Sequence, residues 1–171
     1  MLKLIIDKLP RITKNREKLE KELCVKITNR GKEVFIDGLP ENEYIAEKII
    51  LALNFGFPYS DALLLIEDDF MFEIINMKDY TTKKDFARIK ARIIGAQGKT
   101  LKTLSELTKC SFEIKDHFVG MIGPLEFIKN GQDGITSLIK GSKQANVYAY
   151  LEKHQPKTII DLGLKEDKKK K

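Results

Sequence analysis

The sequence predicts an α+β protein that runs through one small plan twice and then adds a helix. Three observations carry this. Apolar residues alternate in some short stretches and recur at helical spacing in others, with Gly and Pro between them. Two stretches match: Cys24-Val25-Lys26-Ile27 and Cys110-Ser111-Phe112-Glu113-Ile114, each followed by a glycine (Gly38, Gly123) and a helix, at offsets of 86, 87 and 85 residues. A period that long indicates tandem domains rather than a solenoid. A chain of 171 residues with 42% hydrophobic content has room for one compact domain or two small ones.

The elements follow in order. Leu2–Ile6 reads as a short strand. Thr13–Leu23 follows Pro10 and places Leu19 and Leu23 on one helical face. Val25 and Ile27, then Val34 and Ile36, alternate with polar residues around Arg30-Gly31, which predicts a hairpin. Gly38-Leu39-Pro40 ends it, and Ile45, Ala46, Ile49, Ile50 and Leu53 mark a helix that stops at Gly56. Residues 57–69 read as a connector, with a short helix at Ala62–Ile66. Phe70–Met77 is then a strand, and Thr82–Ile94 a helix with Phe86, Ile89 and Ile93 on one face. Gly95 to Gly98 interrupts, and Lys99–Thr108 is helical again. Cys110–Ile114 and Val119–Ile122 are strands; Gly123-Pro124 leads into a helix lined by Ile128, Gly131, Ile135, Leu138 and Ile139.

The copies differ before their hairpins. Only 17 residues separate Ile6 from Cys24, room for about one helix, against 32 between Met77 and Cys110. The expected division is a degenerate first domain over 1–56, a linker over 57–69, a second domain over 70–154 ending in an extra helix at 142–154, and a basic tail over 155–171. Each domain is expected to pack a three-stranded sheet against helices on one face.

Charge is unevenly spread. Residues 1–78 carry a net −2 and residues 79–171 a net +8, which favours a polyanion partner for the second half. No apolar run is long enough to span a membrane, and Met1 to Arg11 lacks the pattern of a secretory leader. With only two cysteines, Cys24 and Cys110, the chain is expected in a reducing, cytoplasmic compartment, both thiols buried as packing groups at strand starts. His117 and His154 have no partners at zinc spacing, and Glu67-Asp68-Asp69 has no accompanying ligands, so no metal or cofactor is expected. No nucleophile elbow or other catalytic setting is present, so the protein is not expected to be an enzyme. Tyr148 and Tyr150 fit docking of the last helix better than base stacking.

The chemistry concentrates between Arg88 and Lys102. Gly95-Ala96-Gln97-Gly98 joins two amphipathic helices, and glycine permits both a sharp turn and close approach of a ligand. The helix starting at Lys99 directs free N–H groups over the loop. The window Lys83–Lys102 holds seven Lys or Arg and one acid. The loop is neither a Walker A motif nor a dinucleotide fingerprint, since the spacing of both is absent. It is suited to holding a sugar-phosphate backbone, with bases on the neighbouring apolar strand.

Ile93-Ile94-Gly95-Ala96-Gln97-Gly98-Lys99-Thr100 between two helices, followed by two strands and a helix, resembles the type I KH arrangement β-α-α-β-β-α. The resemblance extends to the partner-of-Nob-one (Dim-two) family in its short archaeal form. It rests on Ala91 to Thr100, on Ile122-Gly123-Pro124, and on the stretch from Gly141 to Glu152, GSKQANVYAYLE. It implies two tandem type I KH-like domains, the first degenerate. It also implies a noncatalytic role in maturing the small ribosomal subunit, binding single-stranded rRNA near its 3′ end. The endonuclease Nob-one and the alpha subunit of initiation factor two are the implied partners, and a monomer is expected. Gly95, Ala96, Gln97 and Gly98 match the family's loop, flanked by Arg92 and Lys99. The binding set is then Arg88, Arg92, Lys99 and Lys102 for phosphates, the loop with Thr100 for the backbone, and Ile93, Ile94 and Ile114 for bases. The first domain lacks the loop, so it is read as a protein dock or a brace. An exosome-cap subunit lacks room for its usual S1 barrel, and a pure protein-interaction scaffold stands as the alternative without RNA.

Overall fold

The computed structural model describes residues 1–82 and 84–156. The first half contains β1 (Leu2–Ile5), α1 (Leu9–Thr13), α2 (Arg16–Leu23), β2 (Lys26–Arg30), β3 (Glu33–Asp37) and α3 (Pro40–Phe55). A short helix α4 (Tyr59–Leu63) and a 3₁₀ turn follow. The second half contains β4 (Phe70–Asn76), α5 (Phe86–Ile94), α6 (Lys99–Thr108), β5 (Ser111–Lys115), β6 (Phe118–Pro124), α7 (Leu125–Lys140) and α8 (Gln144–Lys153). Each half forms an antiparallel three-stranded sheet with its last strand in the middle, β1-β3-β2 and β4-β6-β5.

The repeat reaches atomic detail. A Cβ at Gly38 would lie 2.9 Å from Val25 Cγ1, and one at Gly123 would collide with Cys110 Sγ. In both halves the end of the middle strand runs so close to the start of the edge strand that only glycine fits.

Four expectations are corrected. The first half has two short helices where one was expected; α1 and α2 are joined by Lys14-Asn15 alone, which still leaves no glycine loop. α5 starts at Phe86 rather than Thr82, because the Asp85 carboxylate caps it by accepting from the Arg88 N–H at 3.1 Å. Cys24 is exposed: it closes α2 in a left-handed conformation, φ 52°, outside the strand. The segment 57–69 is packed, with Phe57, Ala62 and Leu65 buried in the first core. The expected tail lies, from residue 157 onward, outside the described residues.

The second sheet is covered on both faces. Val119, Met121 and Ile75 point into the core shared with α5, α6 and α7. The alternate residues Phe72, Phe118 and Ile122 belong to the first core. Phe55 and Phe57 stand edge-on to Phe72 at 6.1 and 5.7 Å between ring centres. Gly120 opposite them leaves the room; a Cβ there would be 2.7 Å from the Phe55 ring. α8 closes the other side, burying Val147 and Leu151 with Gly134 of α7 beneath Leu151.

Candidate nucleic-acid interface

The loop between α5 and α6 has a backbone that few side chains tolerate. Gly95 has φ 75° and ψ 177°, Gln97 φ 53°, and Gly98 φ 73°. A Cβ on Gly95 would collide with Thr100 Oγ1 and lie 2.7 Å from Thr100 Cβ, so this glycine is dictated by packing as well as dihedral. Around Gly98 nothing lies within 4 Å of such a Cβ, so its surroundings are open. Ala96, Gln97 and Lys99 are exposed, and the Gly98 N–H donates to Gly95 O at 3.3 Å. α6 begins without any side-chain cap. Its first amides and the positive end of its dipole therefore face the loop.

A single residue outside the loop pins it. The Gln144 side-chain amide, at the start of α8, donates to Thr100 Oγ1 at 2.9 Å and to Arg92 O at 3.1 Å. The Arg92 guanidinium in turn donates to Ser142 O. α8 thus grips the end of α5 and the start of α6 at once. The stretch containing Gln144 carries a family resemblance in the sequence, but no periodicity reveals a hydrogen bond spanning 52 residues.

The residues expected to bind separate into three groups. Ala96, Gln97, Lys99 and Lys102 are exposed around the loop, with Gly95 and Gly98 partly so, and Ile94 is 38% exposed. Ile93 is fully buried and Thr100 nearly so, so neither presents its side chain to a ligand; Ile114 is half-buried against the second core. Arg88 and Arg92 lie together on another flank of α5, beside Asp85, Ile139 and Gly141. At 100° per residue, Ile89 and Ile93 mark the core stripe, Arg88 and Arg92 sit to one side, and Lys90 and Ile94 to the other. Lys90 thus shares the Ile94 side of α5.

Other titratable groups are spoken for. Cys110 is buried and its thiol is pushed up to about 11 by burial. The His117 carbonyl accepts from the Met77 N–H at 2.9 Å, and its ring lies tilted against that of Phe118, 4.1 Å between centres. Among the described residues no group of three or more His, Cys, Asp or Glu is arranged to hold a metal, and no helix is long and apolar enough to cross a membrane.

A three-stranded antiparallel sheet backed by α5, α6 and α7, with Gly-X-X-Gly protruding between the first two, defines the second half as a type I KH domain. Comparison with known proteins agrees: the family of the second KH domain of PNO1, a eukaryotic-type KH domain (type I), matches residues 71–156. The chain belongs to the PNO1 (Dim2) family of KH-domain proteins. A KH domain-containing protein of Methanocaldococcus jannaschii is 27% identical over 154 residues, covering 83% of this chain and 66% of that protein. The pre-rRNA-processing protein pno1 of Emericella nidulans is 29% identical over 111 residues, 63% of this chain and 43% of its own. The chain therefore spans about two thirds of the archaeal relative and under half of the fungal one. Among solved structures, Dim2p from Pyrococcus horikoshii superposes with a TM-score of 0.80 at 29% identity, covering 89% of this chain and 98% of that one. A chain in the a/eIF2alpha–aDim2p–rRNA complex from the same organism also scores 0.80, at 28% identity over 90% and 93% of the two chains.

Proposed function

We propose that this protein is a noncatalytic RNA-binding factor in maturation of the small ribosomal subunit, holding single-stranded rRNA near its 3′ end. The observation that carries the reading is the loop: open space around Gly98, backbone amides at an uncapped helix start, and exposed Lys99 and Lys102. This is the chemistry of a phosphate cradle. Ile94 and Lys90 of α5 and Ile114 of β5 are the proposed surface for bases and sugars. The names of its relatives support the biological setting, one being a pre-rRNA-processing protein and another an RNA-binding protein of Dictyostelium discoideum. In the Pyrococcus complex, Dim2p is together with rRNA and a/eIF2alpha. The alpha subunit of initiation factor two is accordingly the proposed protein partner, and the endonuclease Nob-one a second. The proposed setting is a cytoplasmic monomer of two KH-like units, 1–56 and 70–154.

The test is binding of a labelled RNA matching the 3′ end of the host's small-subunit rRNA, with scrambled RNA as control. Wild type is compared with Ala96→Asp combined with Gln97→Asp, which keeps both glycines but puts two carboxylates where a phosphate sits. Preference for the rRNA end by wild type, and its loss in a folded variant, is the expected result. Equal binding by both proteins makes the loop structural and removes the reading.

A further inference from the structure

We infer that Lys78, Tyr80, Arg88 and Lys140 form a second contact for an RNA phosphate backbone, on the flank of α5 away from the Gly95–Gly98 groove. The inference rests on the reading of this chain as RNA-binding. Two shallow clefts each take part of their lining from the end of α7. One is lined by Lys78, Tyr80, Thr82 and Lys140, the other by Arg88, Ile89, Ile139 and Gly141. Lys140 lines the first cleft and its chain neighbours Ile139 and Gly141 line the second, so the end of α7 separates them by about one residue.

Lys140 lies over the Tyr80 ring, a contact that leaves its charge without a carboxylate. The end of α7 is closed by backbone amides, Gly141 N–H to Leu138 O and Ser142 N–H to Ser137 O, so Lys140 is not needed as a cap. Among the described residues, none of Lys78, Arg88, Lys140 or Lys143 has a carboxylate within ion-pair distance. Two acids, Asp79 and Asp85, line these clefts against four cations, Lys78, Arg88, Arg92 and Lys140.

Tyr80 decides between nucleic acid and an acidic protein. Its ring is 40% exposed and lies under the Lys140 ammonium at 5.7 Å. The exposed part of the ring can take a base or ribose while the ammonium meets the phosphate. A run of acidic side chains offers nothing flat for that ring. Arg88 and Arg92, expected at the groove, are turned toward this surface instead.

The experiment uses the full chain and RNA of two lengths, a pentanucleotide that fills only the groove and a strand of about twenty nucleotides that reaches past it. The variants are Lys78→Gln combined with Lys140→Gln, Tyr80→Ala, and the loop variant Ala96→Asp combined with Gln97→Asp. All are surface changes, and thermal unfolding checks that each is folded. The expected result is that the lysine variant binds the pentanucleotide like wild type but the long strand ~3–10-fold more weakly. Loss of two single-strand phosphate contacts also reduces the slope of log affinity against log salt by about 1.4. Tyr80→Ala weakens the long strand alone. Unchanged affinity and slope on the long strand overturn the proposal, as does equal weakening on both lengths. Retained RNA binding with loss of poly-glutamate binding assigns the surface to an acidic protein and also overturns it. If the loop variant leaves the pentanucleotide unaffected while the lysine variant still weakens the long strand, the groove reading fails and this one stands.

Discussion

Gly95 and Gly98 look interchangeable in the sequence, yet the structure gives them different reasons to be glycine. Gly95 has no space for a Cβ, because Thr100 occupies it; Gly98 has space but a left-handed backbone. Gly95→Ala is therefore expected to lower the thermal midpoint strongly and to displace the start of α6. Gly98→Ala costs about 1–2 kcal/mol of backbone strain and keeps the fold, which thermal unfolding of the two variants checks. The cysteines diverge in the same way. Cys110 is buried with its thiol raised to about 11, whereas Cys24 is exposed at the end of α2. A thiol reagent at mildly alkaline pH should modify Cys24 quickly and Cys110 only after unfolding, in agreement with thiolate-dependent reactivity. The glycine loop was legible because its signal is local. Burial of Ile93, engagement of Arg92 with Ser142 and exposure of Cys24 depend on what packs against each, and identity alone carries no such information.

At the scale of elements, most of the second half could be read from periodicity. α6 runs over the expected Lys99–Thr108, and the buried face of α7 holds the expected Ile128, Gly131, Ile135, Leu138 and Ile139 together with Phe127 and Gly134, which the spacing had not picked out. Element starts were less legible where a cap decides them, as with Asp85 ahead of α5. The pairing of α1 with α2 escaped because each is too short to show a period. α8 is the element whose role the sequence hid, since its Gln144 amide is what joins it to Thr100 and Arg92. Gln144→Ala removes both bonds from a part-buried site, with an expected loss of ~1–2 kcal/mol. It should also speed amide hydrogen exchange at the start of α6 while leaving β5 and β6 protected. Equal exchange across both would mean that α8 braces the whole domain rather than the loop.

Across the whole molecule, the face that joins the halves was not visible beforehand, because alternation in β4 and β6 shows two apolar faces without saying what covers the second. Phe57 is fully buried in the first core and stands against Phe72 of the second sheet. Phe57→Ala is expected to cost about 3–5 kcal/mol and to lower the unfolding transition of both halves, as calorimetry would show. Separate transitions, only one of them shifted, would mean the halves are uncoupled. Glu113 of β5 also lies at this junction, where burial raises its carboxyl above the ordinary value and Arg11 and Lys8 only partly counter that. A carboxyl raised in the folded state binds more protons there than in the unfolded chain, so its charge costs stability at neutral pH and that cost fades as the medium is acidified. Glu113→Gln should therefore be the more stable protein at about pH 7, with the difference closing toward about pH 4 in denaturant titrations.

Gly120 makes room for two phenylalanine rings from the other copy of the repeat. The first half has no glycine loop of its own between α1 and α2. Here the surviving reader has an oily back that its sibling keeps dry, so discarding the sibling would leave the reader prone to clump. The first half therefore serves the second as a lid of phenylalanine rings, whatever else it touches.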